Sequence, residues 1–375
     1  MCKATAPIST LNRLTSKLCL WFVLTISIAA ALGLSGCSDD TVTPTAAPSS
    51  ETPGAPTTTN SEIVELTMAG FMPLTDLNMV VADNWAKEVE RRSEGRIKIT
   101  RHWAQSLVKA ADTYQAVKTG LVDIGLSAQS YEPTGQFPLS MAIGLPWGFT
   151  SCKAVNESFK ELYNTIPAFS QEYAEVKNLF IYIPGLFQIH TVSREILLPG
   201  DLKGLQIRGP GGVVTDVLKA WGATPVSMPM SEAYMSLQKG IVDGIVAPYV
   251  TMMDQKLGEL TKYTLEGYYC TNPFMFVMNK EKFAALPADL QNVIDEVSDE
   301  WWTVAGETID EADPLAKPWL VEQGVAIHEP SDQEMQAWRE TNEAVVMAWA
   351  REAEAKGTAD AVVFAEQALE AASAR

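Results

Sequence analysis

The sequence predicts an α/β protein whose body is two similarly built domains, preceded by a leader and a tether. Three observations carry this. Strand-like alternation and helical periodicity take turns along the body, which argues for parallel sheets covered by helices. One word recurs: KTGLVDIG at 118–125 and QKGIVDGI at 238–245 both read helix, glycine, apolar residue, Val-Asp, strand. The length of 375 residues also exceeds what one hydrophobic core usually holds.

Lys3, Arg13 and Lys17 precede an apolar run from Leu18 to Leu34, the charged and apolar regions of a secretory signal. The run ends in Leu34-Ser35-Gly36-Cys37. That ending resembles a bacterial lipobox, in which Cys37 is acylated on its thiol and becomes the mature N-terminus. Residues 1–36 are therefore expected to be a lipoprotein signal peptide. The protein is expected to be periplasmic or extracytoplasmic and held at a membrane by its lipid. Residues 37–61 are rich in Ser, Thr and Pro with no apolar period, too polar to offset their ordering entropy, and read as a disordered tether. Its flexible-coil reach is about 27 Å.

The body opens with Ile63 to Ala69, an alternating strand that ends at Gly70. Val80, Val81, Trp85 and Val89 recur at helical spacing, and the helix stops near Gly95. Arg96 to Thr100 alternates again as a strand. A helix over 110–119 is closed by Gly120, the residue best suited to a left-handed cap, and Val122 to Leu126 is the next strand. The second half repeats this grammar. Leu205 to Arg208 is a strand, Gly209-Pro210-Gly211-Gly212 a turn, and 213–221 a helix. A helix over 231–239 closes at Gly240, and Val242 to Val246 is a strand. Two such halves suggest domains that face each other, as in a hinged solute-binding protein. Residues 288–371 are mostly helical, with Leu290, Ile294, Val297 and Trp301, then Met335, Trp338, Val345, Val346 and Trp349, at helical spacing. Trp301, Trp302, Trp338 and Trp349 are read as packing residues.

Composition narrows the chemistry. A net charge of −18 excludes a phosphate-tracking nucleic-acid binder, which needs clustered cations. His102, His190 and His328 have no ligand spacing, so no metal is expected. The chain has no G-x-S-x-G elbow after the leader, no phosphate loop and no H-E-x-x-H pair. Gly209, Gly211 and Gly212 sit between strand and helix, but Val214 replaces the third glycine of a dinucleotide turn. No cofactor and no enzymatic activity are expected. In an oxidising compartment Cys152 and Cys270 are permitted to pair, or to remain two buried thiols.

Residues 200–248 read GDLKGLQIRGPGGVVTDVLKAWGATPVSMPMSEAYMSLQKGIVDGIVAP. This resembles the central signature of solute-binding subunits of tripartite ATP-independent periplasmic (TRAP) transporters. EGRIKI at 94–99, QAVKTGLVDIG, GLPWGF at 144–149 and NPFMFVMNKEKFAALPADLQ at 272–291 match the same family in order. The resemblance spans about 62–310. It implies two α/β domains around a cleft, joined by crossing strands and a long helix, with helical C-terminal residues. It divides the body into 62–186 plus 273–313 and 187–272 plus 314–375. It further implies an organic acid held in the cleft and delivered to small and large membrane permease subunits.

In that family the arginine of the IR motif pairs with the ligand carboxylate, and it maps onto Arg208. The guanidinium fork suits a carboxylate, and a strand end before a glycine turn is where α/β sheets bind ligands. Two family positions differ. Where many dicarboxylate binders carry a second arginine this chain has Phe187, beside Gln188. Where a Glu follows the DG word it has Val246. The expected ligand is therefore a monocarboxylate with an apolar or aromatic body. Phe187, Gln188, Trp147, Tyr249, Asn272 and Phe274 are the expected neighbours of Arg208. A C4-dicarboxylate would need Arg96, Arg101 or Arg194 in the cleft. The competing readings are a C4-dicarboxylate receptor, a receptor feeding a membrane sensor, and a secreted α/β hydrolase or lyase.

Overall fold

The computed structural model describes residues 63–132 and 136–374, so the leader, Cys37 and the tether lie outside the described residues. Eleven strands are described: β1 (Val64–Gly70), β2 (Ile97–His102), β3 (Ile124–Ala128), β4 (Lys177–Tyr182), β5 (Phe187–Thr191), β6 (Gln206–Gly209), β7 (Thr224–Ser227), β8 (Gly244–Ala247), β9 (Tyr263–Cys270), β10 (Phe274–Met278) and β11 (Ala326–His328). They form two mixed sheets, ordered β2-β1-β3-β10-β4 and β11-β9-β5-β8-β6-β7. β3 and β10 are buried throughout, as strands covered on both faces must be, and the one polar side chain between them, Ser127, donates to the Ala110 carbonyl.

The repeated word has a structural cause. In the first sheet β1 and β3 are parallel, and the Asp123 carboxylate accepts from the Thr67 N–H at 2.7 Å and the Thr67 hydroxyl at 2.9 Å. In the second sheet β6 and β8 are parallel, and Asp243 accepts from the Gln206 N–H at 2.8 Å. Each Val-Asp pair buries its valine and clamps the neighbouring strand with its carboxylate, at the middle of β1 and at the start of β6. Both strands begin later than their periodicity suggests, at Ile124 and Gly244, because the Asp serves this clamp. Each preceding helix ends on a positive-φ glycine, +76° at Gly120 and +68° at Gly240.

The helix Leu77–Arg92 lays Trp85 edge-on against Phe276 of the first sheet, ring centroids 4.9 Å apart. The long helix Ala288–Ala312 buries Leu290, Ile294, Val297 and Trp301 and packs on Leu77–Arg92, on β4 and on the helix Cys152–Thr165. The chain passes between the sheets from β4 to β5 and back from β9 to β10. The Thr271 hydroxyl ties the two passages by donating to the Gly185 carbonyl at 2.6 Å. Gly185 has φ +142°, and a Cβ there would stand 2.5 Å from the Pro248 Cβ, so only glycine fits this passage.

Trp302 and Trp338 are buried and Trp349 is partly buried against the same core. Trp338 packs on Trp221 and Tyr269 of the second sheet's core. The last helix, Ala361–Ala374, departs from the expected division. It packs on the helix Cys152–Thr165, and Phe364 enters an aromatic cluster with Trp147, Phe159 and Phe169. Those residues belong to the first half, so residues 314–375 do not all pack with the second. The sequence missed this because Phe364 shows only that a helix has an apolar face, not which surface covers it. Cys152 and Cys270 are both buried free thiols, so the permitted bridge is not formed.

Candidate functional site

Arg208 is the third residue of β6, at the strand end that leads into the glycine turn and the helix Val213–Ala220. Its side chain is carried inward, where it is 1% exposed. Its Nε and Nη2 both donate to the Met228 carbonyl, at 3.1 and 2.7 Å. No carboxylate pairs with it among the described residues, whereas Arg92 pairs with Glu88 and Glu300, and Arg101 with Asp83 and Glu90. A guanidinium has five N–H donors, so most of its hydrogen-bonding capacity is unused. Burial pulls its pKa down to about 10, and the nearby Tyr131 phenol works in the opposite sense. This is a cation placed in a poorly solvating site without a counter-ion, which is what an anion receptor requires.

The cavity at Arg208 has about 30 Å³ of free space. Phe187, Phe274, Asn272, Tyr131, Asn78, Thr251, Met72 and Met230 line it, with Pro184, Pro210 and Pro248. Arg208 is the only charged residue among these. The aromatic wall is continuous on one side: Phe71 stands edge-on to both Tyr131 and Phe274, at 5.6 and 5.4 Å. Thr251 and Asn272 are buried polar residues on the wall of this cavity. A cavity of about 150 Å³ accommodates a benzene ring. The present space holds one or two waters, so an aromatic acid enters only if the two halves part and the pliant Met72 and Met230 side chains move.

The structure brings four of the seven expected ligand residues into this cavity: Arg208, Phe187, Asn272 and Phe274. Three are elsewhere. Trp147 packs between Phe159 and Phe364, and its indole N–H donates to the Ala142 carbonyl at 2.9 Å. Gln188 points to the opposite face of β5 from Phe187, as alternation requires, and bonds the Leu186 carbonyl and the Gly267 N–H. Tyr249 precedes the cavity wall and stacks edge-on to His190. Val246 is wholly buried in β8, away from the lining. Arg96 pairs with Asp289, Arg101 with Asp83 and Glu90, and Arg194 donates to the Asp201 and Lys203 carbonyls; none lines the cavity. His190 is a structural residue, bonded to Thr264 and Ala247, with burial holding its pKa down at about 4.

The residues not anticipated are Met72, Asn78, Tyr131 and Thr251. Met72 and Tyr131 follow the ends of β1 and β3, so the strand-end rule that found Arg208 also points to them. Gly211 and Gly212 have φ of +107° and +55°, and a Cβ on Gly212 would lie 3.4 Å from the Met141 sulfur and 3.6 Å from the Ser130 Cβ. The glycine turn thus lies beside Ser130 and Met141 of the first half, and its positive φ values are what call for glycine there.

A larger hollow of about 860 Å³ lies elsewhere, lined by residues that include Trp147, Phe149, Glu266, Glu329, Arg339 and Glu343. It is an open groove with three carboxylates to one guanidinium. The small cavity is the better anion site, because only there is the cation buried and unpaired.

Two α/β halves closing on a buried, unpaired guanidinium define a two-lobed receptor for an anionic solute. The family model for bacterial extracellular solute-binding proteins, family 7, matches residues 68–352. The chain belongs to that family, the TRAP solute receptors, which act outside the cytoplasm. Among curated relatives, a solute-binding protein of Albidiferax ferrireducens is 27% identical over 262 residues, covering 68% of this chain and 76% of its own. The C4-dicarboxylate-binding periplasmic protein of Rhodobacter capsulatus is 24% identical over 254 residues, covering 67% and 76%. Among solved structures, a TRAP solute-binding protein of an unidentified marine microbe, described as specific for aromatic acid ligands and holding 3-hydroxybenzoate, superposes with a TM-score of 0.78 at 30% identity, covering 84% of this chain and 99% of that one. One from Rhodoferax ferrireducens with copurified benzoate gives 0.76 at 28% identity, covering 83% and 98%.

Proposed function

We propose that this chain is a TRAP solute receptor for a monocarboxylate with an aromatic or apolar body. Arg208 would hold the carboxylate through its unused N–H groups, with Asn272 and Thr251 adding hydrogen bonds, and Phe187, Phe274 and Tyr131 would enclose the ring. The observation that carries this reading is a single buried charge in an otherwise uncharged, aromatic-walled cavity. A second carboxylate would meet no cation there, and an unpaired buried charge costs several kcal/mol, whereas apolar area gains about 25 cal/mol per Å² buried. The solved relatives that hold 3-hydroxybenzoate and benzoate support the same chemistry. Closure on the ligand would present the loaded receptor to the permease subunits.

Thermal-shift and calorimetric measurements with benzoate, 3-hydroxybenzoate and mandelate, set against succinate, malate and fumarate, test it. The aromatic acids are expected to stabilise the protein, by about 2.7 kcal/mol at a hundredfold excess over Kd. Stabilisation by the dicarboxylates alone would make this a C4-dicarboxylate receptor.

The membrane attachment is a separate part of the proposal. Cys37 would be acylated after removal of residues 1–36, with 37–61 as the tether. Cys37→Ala is expected to leave the protein unacylated and released from membranes on fractionation. Unchanged membrane partition with trimming at the same site would remove Cys37 from this role. We assign 62–186 with 273–313 to one domain and 187–272 with 314–360 to the other, adding the last helix to the first.

A further inference from the structure

Asn78, on the wall of the Arg208 cavity, is held in a fixed orientation by two partners outside the lining. It is the second residue of the helix Leu77–Arg92 and is 2% exposed. That helix packs Trp85 against Phe276 of the first sheet, so Asn78 belongs to the first half, whereas Arg208 stands on β6 of the second sheet. Both line the cavity. Asp76, itself buried, precedes the helix, and its Oδ1 accepts from the Asn78 backbone N–H and from Asn78 Nδ2, both at 3.0 Å. A carboxylate only accepts, so the amide turns its nitrogen to Asp76 and its oxygen away. On the oxygen side the Tyr182 hydroxyl donates to Asn78 Oδ1 at 3.4 Å, beyond the usual range of about 2.5–3.0 Å for such a bond. Tyr182 is in turn set edge-on to Phe274 of the cavity wall, ring centroids 5.8 Å apart.

The helix start does not require this side chain. Asp76 caps the helix through the Asn78 backbone N–H, which any residue but proline supplies. A side-chain amide has two N–H donors and two acceptor sites. Asp76 takes one donor, and the long Tyr182 bond takes one acceptor site weakly. One N–H and one lone pair of a buried, oriented amide are therefore left on a wall that an occupant touches. The bond to the Asp76 carboxylate polarises the amide and makes Oδ1 a stronger acceptor.

We infer that Asn78 is a specificity-determining residue that reads a hydroxyl on the body of the ligand, so that the receptor selects hydroxylated monocarboxylates over unsubstituted ones. This deepens the proposed function and rests on it: the carboxylate sits on Arg208 in one half, and the hydroxyl meets Asn78 from the other. A hydroxyl is the small neutral group that both donates and accepts, matching the free lone pair and the free N–H together. A phenolic hydroxyl titrates near 10, so it keeps its proton at pH 7. An ether oxygen only accepts and leaves Oδ1 unfilled. A second carboxylate also only accepts, and it would face both Oδ1 and the Asp76 charge behind the amide.

Calorimetry with 3-hydroxybenzoate and 4-hydroxybenzoate, each set against benzoate and 3-methoxybenzoate, tests this. At least one hydroxybenzoate is expected to bind the wild type about tenfold tighter than benzoate, the effect of one or two hydrogen bonds, and 3-methoxybenzoate no tighter than benzoate. Asn78→Ala keeps the backbone cap, and Asn78→Leu keeps the volume. In either variant the preference should fall to about one, with benzoate affinity within about threefold of the wild type; a merely structural Asn78 would weaken all four acids alike. Equal binding of benzoate and both hydroxybenzoates by the wild type overturns the inference while leaving the aromatic-acid reading intact. So does a methoxy acid that binds as tightly as the hydroxy acid, or a preference that survives in a folded variant. If succinate and malate bind and no aromatic acid does, the aromatic reading fails, and the same question passes to that pair, which differ by one hydroxyl. A preference for malate that is lost in Asn78→Ala would then support the role of Asn78, and its absence would overturn it. A protein that binds none of these acids overturns both.

Discussion

Arg208→Ala is expected to weaken binding of benzoate or 3-hydroxybenzoate several hundred-fold while leaving the unliganded protein as stable as the wild type, or more stable. The two effects have one cause. The guanidinium is 1% exposed, its acceptor among the described residues is the Met228 carbonyl, and its pKa is pulled down to about 10. Because the folded pKa lies below the unfolded one, holding this cation costs the fold roughly 3 kcal/mol at any pH below about 10. A ligand carboxylate removes that cost by filling the unused donors. Without the arginine, the buried carboxylate has no partner, a loss of about 3–5 kcal/mol. Arg208→Lys should recover only part of the affinity, since an ammonium lacks the planar fork. Calorimetry and denaturant unfolding together check this. Unchanged affinity in both variants would remove Arg208 from the site, and a large loss of apo stability in Arg208→Ala would refute the account of a strained, unpaired cation.

Gly306→Val is expected to destabilise the protein by about 3 kcal/mol or more. A Cβ at Gly306 would stand 2.6 Å from the Lys153 Cα, 2.7 Å from the Lys153 N and 2.9 Å from the Cys152 carbonyl carbon, all backbone atoms. Backbone cannot step aside as a flexible side chain does, so the long helix and the helix Cys152–Thr165 must separate. One turn on, Asp310 accepts from the Ser151 hydroxyl at 2.8 Å and from the Cys152 and Lys153 N–H groups at 2.7 and 2.9 Å. Separation strains those three bonds as well, and each bond to a charged group is worth about 1.5–3 kcal/mol. The measurement is a fall in the urea midpoint at unchanged m-value. A midpoint within error of the wild type would show that the two helices accommodate the side chain.

The legible parts of this protein were those with a local cause. Alternation, helical spacing and the glycines that end helices depend on near neighbours in the chain, so the strands around the two Val-Asp words and the long C-terminal helices could be placed from text alone. The repeat also held its meaning: Asp123 and Asp243 perform the same clamp in two sheets. β9, β10 and β11 were harder, because their pairing partners are distant: β10 leaves the second half to lie between β3 and β4. The C-terminal helix was misplaced for the same reason. Arg208 was found because its strand-end position and its motif are both local, and Phe187 and Phe274 because they flank it in matched segments. Trp147 and Gln188 were equally plausible by composition, and packing and strand parity assigned them elsewhere.

Sequence by itself determined the class of fold and the receptor family, since each is encoded in contiguous residues or in their order. Tertiary structure alone decided which residues share the cavity, that Arg208 has no counter-ion among the described residues, and that the thiols stay apart. The physical reason is that these properties are distances between groups far apart in the chain, such as Met72 and Phe274 on the wall of one cavity. Burial, which takes the Arg208 guanidinium out of water, exists only once the two halves have come together.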